Sequence, residues 1–193
     1  MNLDAFAKDA AEWRESGYHR YRASKLLFEG GDPFLWFSAA TLGHHALEML
    51  LKAVLIHAGM TVCDPKKVNR LDPALRLTED DCAWGHDLIT LAEKLAAKRT
   101  DFNLAAQICC FLVCEKTPIS LRRGFEIFDP FFTELRYPHQ AEEVGDLGEC
   151  HGELLGHLFG HLEPFLDEIP PPTKVTFWPS PIDRPALPVR PSS

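Results

Sequence analysis

From Phe34 to Gly59, apolar residues recur at spacings of three and four through Leu35, Ala39, Leu42, Ala46, Leu50, Ala53 and Ile56. This is the period of one face of an α-helix. A second set, Phe37, Leu47, Leu51, Val54 and Leu55, covers another face, and a helix covered on two sides is the central member of a bundle. Asp32-Pro33 supplies an N-cap and a first-turn proline, and Gly59 a C-cap glycine. Such a helix would be roughly 39 Å long, the height of a small domain.

The remaining pattern is organised around it. Leu3 to Glu29 predicts a long first helix with Phe6, Ala10, Trp13, Tyr21, Leu27 and Phe28 on its apolar face, weakened at Gly17 and ended by Gly30-Gly31. The short connection to the main helix makes the two antiparallel. Met60 to Trp84 carries Pro65 and Pro73 and shows no sustained period, so it reads as a long excursion with one short helical turn around Thr78 to Cys82. Gly85-His86-Asp87-Leu88 starts a helix to about Arg99, and another is expected from Asp101 or Leu104 to Glu115. After Pro118, Ser120 to Leu135 predicts a shorter helical piece interrupted near Asp129-Pro130. A final helix is expected from Val144 or Asp146 to Ile169, with Leu147, Leu154, Leu155, Leu158, Phe159, Leu162 and Phe165 in period and Pro164 as a potential kink. Eight prolines fall in the last 24 residues, which favours extended chain. Within it Phe177 and Trp178 are expected to anchor the tail, and Arg184 precedes a PxxP match at Pro185 to Pro188. The expected fold is therefore all-α: an up-and-down bundle of four to five helices over 1–169, with a long insertion after the second helix and a Pro-rich tail over 170–193.

Composition narrows the function. A chain of 193 residues with 46% hydrophobic content suits one compact domain plus a tail. A net charge of -8 argues against a general nucleic-acid binder, although it permits a local basic patch. Asp4, Lys8 and Asp9 break any apolar run near Met1, so no signal peptide is expected. Phe34 to Gly59 is long enough to span a bilayer, but His44, His45, Glu48 and Lys52 at its centre argue against it. A soluble, cytoplasmic protein with no membrane contact is the expectation. The six cysteines, Cys63, Cys82, Cys109, Cys110, Cys114 and Cys150, show no CxxC pair and read as reduced thiols. Cys110 and Cys114, one turn apart on the expected helix, are a weak metal or redox pair.

Several polar residues are candidates for chemistry. His45, Glu48 and Lys52 share one stripe of the main helix, with Glu48 before Lys52 in the favourable order. The stripe is either an ion pair that fixes bundle register or a polar pocket facing a ligand or a second chain. His86, at a helix start, is placed to bond Glu48 or His45 and tie two helices together. Lys66, Lys67, Arg70 and Arg76 put four positive charges into eleven residues of the excursion. His157 and His161 lie one turn apart, with Glu153 one turn earlier, a weak metal-ligand spacing. The alternative is a polar face that also carries His151. Gly152, Gly156 and Gly160 suggest a face approached closely by another helix, which fits a dimer interface.

The order of motifs resembles a known family. Ala46-Leu47-Glu48, then Lys52-Ala53, then His86-Asp87-Leu88 after a variable insertion, and Arg136-Tyr137-Pro138 before a final helix, look like the HEPN domain (higher eukaryotes and prokaryotes nucleotide-binding). The resemblance covers roughly Ala5 to Ile169. It implies a helical bundle that commonly dimerises, in proteins that act as RNA-cleaving toxins, as partners of small nucleotidyltransferases, or as accessory modules in stress and phage defence. Ribonuclease members carry Arg-x(4–6)-His near the final helix, where histidine serves as base and arginine as cation for the phosphate. Here His139 to Glu168 holds no Arg or Lys and eight Asp or Glu. The chain's Arg-x4-His runs from Arg14 to His19 on the first helix, and Arg136 with His139 makes only a compressed version. The sequence thus points to a non-catalytic binding or regulatory module in a toxin–antitoxin, stress or defence setting. It would form a homodimer, use no cofactor, and recognise a nucleotide, RNA or a protein partner through His45, Glu48, Lys52, His86, Lys66, Lys67 and Arg70. The alternative is an atypical metal-independent ribonuclease using Arg136 and His139.

Overall fold

The computed structural model describes residues 10–108, 118–133 and 147–171. The expected tail from 172 onward, Arg136, His139, Cys109, Cys110 and Cys114 lie outside the described residues. The fold is all-α, with one two-stranded ribbon among the described residues. Helix α1 (Ala10–Glu29) turns at Gly30-Gly31 into α2 (Pro33–His57), and the two pack antiparallel along their length. After α2 the chain makes the excursion, which contains α3 (Pro65–Leu71) and a 3₁₀ turn (Glu79–Asp81). It returns through α4 (Leu88–Lys98), β1 (Gln107–Ile108), β2 (Ile119–Ser120), α5 (Leu121–Phe128), α6 (Pro130–Thr133) and α7 (Glu149–Asp167).

Helix α2 is the hub, and α1, α4, α5, α6 and α7 all pack on it. Its start follows the sequence signal: the Asp32 carboxylate accepts the Phe34 N–H at 3.0 Å, with Pro33 in the first turn. Its end is closed by Gly59 at φ +89°, a left-handed conformation that glycine adopts without strain. By length and hydropathy α2 could cross a membrane, but 72% of its most apolar window is buried by the surrounding helices. Its core residues Leu47, Leu50, Leu51 and Leu55 join Phe28 of α1, Leu88, Leu91 and Leu95 of α4, Phe125 of α5 and Leu154, Leu155 and Leu158 of α7.

Glycines set how closely the helices approach. A Cβ on Gly17 would lie 2.7 Å from the Leu50 side chain, so the residue that weakens α1 in sequence is where α2 seats against it. The glycine stripe of α7 is partly consumed inside the chain: a Cβ on Gly152 would lie 2.8 Å from Phe28 Cβ, and Tyr21 stacks on Phe159 with centroids 4.2 Å apart. The obstacle at Gly152 is a Cβ fixed to its own backbone, so no rotamer change relieves it. Gly152→Ala is expected to cost about 1–3 kcal/mol by forcing α1 and α7 apart, read as a lower urea midpoint. Truncating Phe28 to alanine in the same chain should give no relief, because the clashing atom remains.

Three expectations need correction. The helix expected from Asp101 or Leu104 is absent over 101–108, which form a turn and β1. Asn103 captures the local backbone, its side-chain oxygen accepting the Ala105 N–H at 2.9 Å, and the Leu104 and Ala106 carbonyls are used by Arg122 and Leu121. Helix α7 begins at Glu149 and does not run on continuously from Val144 or Asp146, which lie outside the described residues: Leu147 and Gly148 are not helical, Gly148 is extended and its N–H donates to His151 Nδ1 at 3.2 Å. The excursion holds a full α3 that its missing periodicity hid, capped by Asp64 with Pro65 in the first turn, alongside the turn expected near Thr78 to Cys82.

Candidate functional site

Three-and-four spacing on α2 aligns His44 and His45 with Glu48, and Glu48 with Lys52. The packing of α1, α4 and α5 then closes over part of that stripe. Lys52 Nζ donates to Glu48 Oε1 at 2.6 Å, and the pair is nearly enclosed, with Glu48 5% and Lys52 3% exposed. The Lys52 ammonium also sits 5.4 Å from the centre of the Trp13 ring, which draws α1 into the cluster through a cation–π contact.

His86 completes the clasp from the loop before α4. Its Nδ1 lies 3.0 Å from Oε1 and 3.1 Å from Oε2 of Glu48, so Nδ1 carries the proton and donates to the carboxylate. Half of the His86 side chain remains exposed, so this buried cluster meets solvent there. Asp87 and Asp129 fix this loop, accepting the Thr90 and Leu88 N–H groups at 2.6 and 2.7 Å. His45 stands on the rim with Nδ1 3.8 Å from Glu48 Oε2.

His44 is fully buried behind them. Its Nδ1 donates to the Phe128 carbonyl at 3.0 Å, and Nε2 lies 3.9 Å from Glu48 Oε2. Burial pushes its pKa down from 6.5 to about 4, against the upward pull of the Phe128 carbonyl and of Glu48. For Glu48, burial alone would raise the pKa. The His45 ring, the Lys52 ammonium and the His86 N–H outweigh it and hold the carboxyl down at about 2. At neutral pH the cluster is thus an ionised carboxylate, an ammonium and a neutral buried imidazole. A carboxylate so strongly held is a fixed anion that orients its donors, and a poor proton acceptor.

His45, Glu48, Lys52 and His86 therefore come together as one site, and His86 bonds Glu48 as its position at a helix start suggested. Lys66, Lys67 and Arg70 belong to α3 beside the excursion's own small core, where Lys66 pairs with Glu79 at 3.8 Å. Arg14, the cation of the Arg-x4-His match, is committed elsewhere: its guanidinium donates to the Ile169 and Leu166 carbonyls at 2.5 and 3.2 Å, closing the end of α7. His157 and His161 do not make a metal site with Glu153: among the described residues no set of three His, Cys, Asp or Glu is grouped to hold an ion. His157 instead lines a cleft of about 680 Å³ between α1 and α7, together with Lys25, Glu29, Glu149 and Glu153.

The sequence reading missed His44 and Trp13. His44 carries a signal, its place one turn before Glu48, but spacing does not tell a buried imidazole from an exposed one. Trp13 enters only through the packing of α1 on α2, which no local pattern encodes. Comparison with family models, with characterised proteins and with solved structures yields no match.

Proposed function

We propose that this chain is a non-catalytic binding and regulatory module of HEPN type that recognises a nucleotide or RNA at the exposed edge of the Glu48 cluster. The observation that carries this reading is the saturation of Glu48: Lys52 and His86 both donate to it, and its pKa is held at about 2. Such a carboxylate orients the half-exposed His86 ring and leaves little basicity for chemistry. His86 and His45 offer imidazole edges for hydrogen bonding and stacking against a base or a phosphate. The net charge of -8 confines any anionic ligand to local contacts of this kind. A homodimer is part of the proposal: Phe34, 93% exposed, and Leu26, 69% exposed, give the α1–α2 turn an apolar surface.

Native mass spectrometry of untagged protein, followed by titration with ribonucleotides and a short RNA, tests this. The expected result is a dimer that retains or takes up the ligand, loses affinity about tenfold or more in His86→Ala, and returns the RNA intact. RNA cleavage that disappears in Arg136→Ala or His139→Ala would replace the proposal with a ribonuclease. Failure of every nucleotide and RNA to bind would move the search to protein partners.

A further inference from the structure

The excursion between α2 and α4 brings together two thiols that are nineteen residues apart in sequence: Cys63 Sγ and Cys82 Sγ lie 3.2 Å from each other. Both are free and buried, Cys63 at 7% exposure and Cys82 at 0%. The backbone already holds them in this register. Thr61 bridges to Cys82, the Thr61 N–H donates to the Asp81 carbonyl at 3.1 Å, and the Ala83 N–H to the Thr61 carbonyl at 2.9 Å. From α4, Lys94 Nζ donates to the Glu79 and Cys82 carbonyls at 2.7 and 2.8 Å, pinning the returning strand. A sulfur–sulfur bond of about 2 Å requires the pair to close by only about another ångström.

We propose that Cys63 and Cys82 are a reversible redox site, which a small-molecule disulfide converts to an intramolecular disulfide that locks the excursion. This is independent of what the Glu48 cluster binds. In the first step the Cys63 thiol loses its proton and attacks one sulfur of the oxidant, whose S–S bond breaks. One thiolate leaves and takes up a proton, and Cys63 is left in a mixed disulfide. Cys82 then loses its proton and attacks the Cys63 sulfur, expelling the second thiolate, which is protonated in turn. The two cysteines are oxidised, the oxidant is reduced to two thiols, and the two hydrogens pass to them.

The order follows from the surroundings. Cys63 is the more accessible of the two, 7% exposed against 0% for Cys82, and burial together with the adjoining Cys63 sulfur pushes the Cys82 thiol up, so Cys63 attacks first and Cys82 resolves. Access comes from local opening. Cys63, Val68 and Cys82, with Leu75 and Leu77, form a small cluster separate from the main core, and such a unit can open while the bundle stays folded. Cys150, at the start of α7 beside His151, belongs to a different part of the molecule.

The test treats the full chain with oxidised glutathione under native conditions, blocks remaining thiols with N-ethylmaleimide in denaturant, and maps tryptic peptides. Lys66, Lys67, Arg70 and Arg76 lie between the two cysteines, so the bridge would appear as two tryptic peptides that travel together until reduced. The expected product is this linked pair, with glutathione lost from both. Amide exchange at Val68 and Asp72, whose N–H groups bond within and at the end of α3, should slow on the order of a hundredfold, since the bridge closes the loop in advance. In Cys82→Ser the reaction should stop at a glutathione adduct on Cys63. Recovery of both wild-type cysteines as maleimide or glutathione adducts overturns the proposal, as does predominant linkage to any of the other four cysteines. The wild-type map decides the matter even where a variant fails to fold.

Discussion

Glu48→Leu is expected to cost about 3–5 kcal/mol, because it strands the Lys52 ammonium inside the bundle. Lys52 is only 3% exposed and its hydrogen-bonded partner at 2.6 Å is this carboxylate. The Trp13 ring at 5.4 Å recovers only part of the loss. For a chain of this size the change should appear as a fall in Tm of about 6–20 °C. The informative companion is Glu48→Leu combined with Lys52→Met, which removes both charges and keeps the volume filled. Replacing a buried pair by apolar side chains is often nearly neutral, so the double variant should return to within about 1–2 kcal/mol of the parent. Chemical denaturation of the four proteins gives the coupling energy directly. If the double variant is as unstable as the sum of the two single ones, the pair is not the coupled unit described above.

Acid should destabilise the protein in two stages. His44 titrates near 6.5 when unfolded and near about 4 in the fold, because burial opposes its charge. A group whose folded pKa is depressed binds its proton in the unfolded chain first. Its contribution is therefore fully present above 6.5 and is lost as the pH falls towards about 4. By about pH 5 this amounts to roughly 2 kcal/mol. Glu48, held at about 2 against an ordinary 4.5, adds a second loss as the pH falls through that lower window. His45, His86 and Lys52 face Glu48 and keep it ionised through the first stage. His44→Gln has no proton to gain and should flatten the slope between about pH 6.5 and 4 while leaving the lower stage in place. Melting curves across this range decide it, and an unchanged slope in the variant would assign the acid sensitivity to other groups.

Much of the frame was legible in local pattern. The main helix, its Asp32-Pro33 start and its Gly59 end follow from a period of three and four and from capping chemistry, both of which act within one turn. The break at Asp129-Pro130 follows from proline geometry in the same way. Segment 101–108 failed for a matching reason: its apolar residues mimic a helix, while Asn103 diverts the local backbone into a turn and the pairing of Ile108 with Ile119 depends on a strand eleven residues further on. Helix α3 was hidden because a short helix buries too few residues to display a period.

The site divides along the same line. Alignment of His45, Glu48 and Lys52 is a property of α2 alone, and the sequence determined it. That Lys52 and Glu48 are sealed from water, that His44 is neutral, and that His86 reaches Glu48 across 38 residues were decided only by the packing of α1, α4 and α5. The same is true of the meeting of Cys63 with Cys82. Spacing along one helix fixes which side chains share a face. How deeply that face lies from solvent, and so which charges can exist there, is set by segments far away in the chain, since burial and its electrostatic cost come from all the neighbours at once.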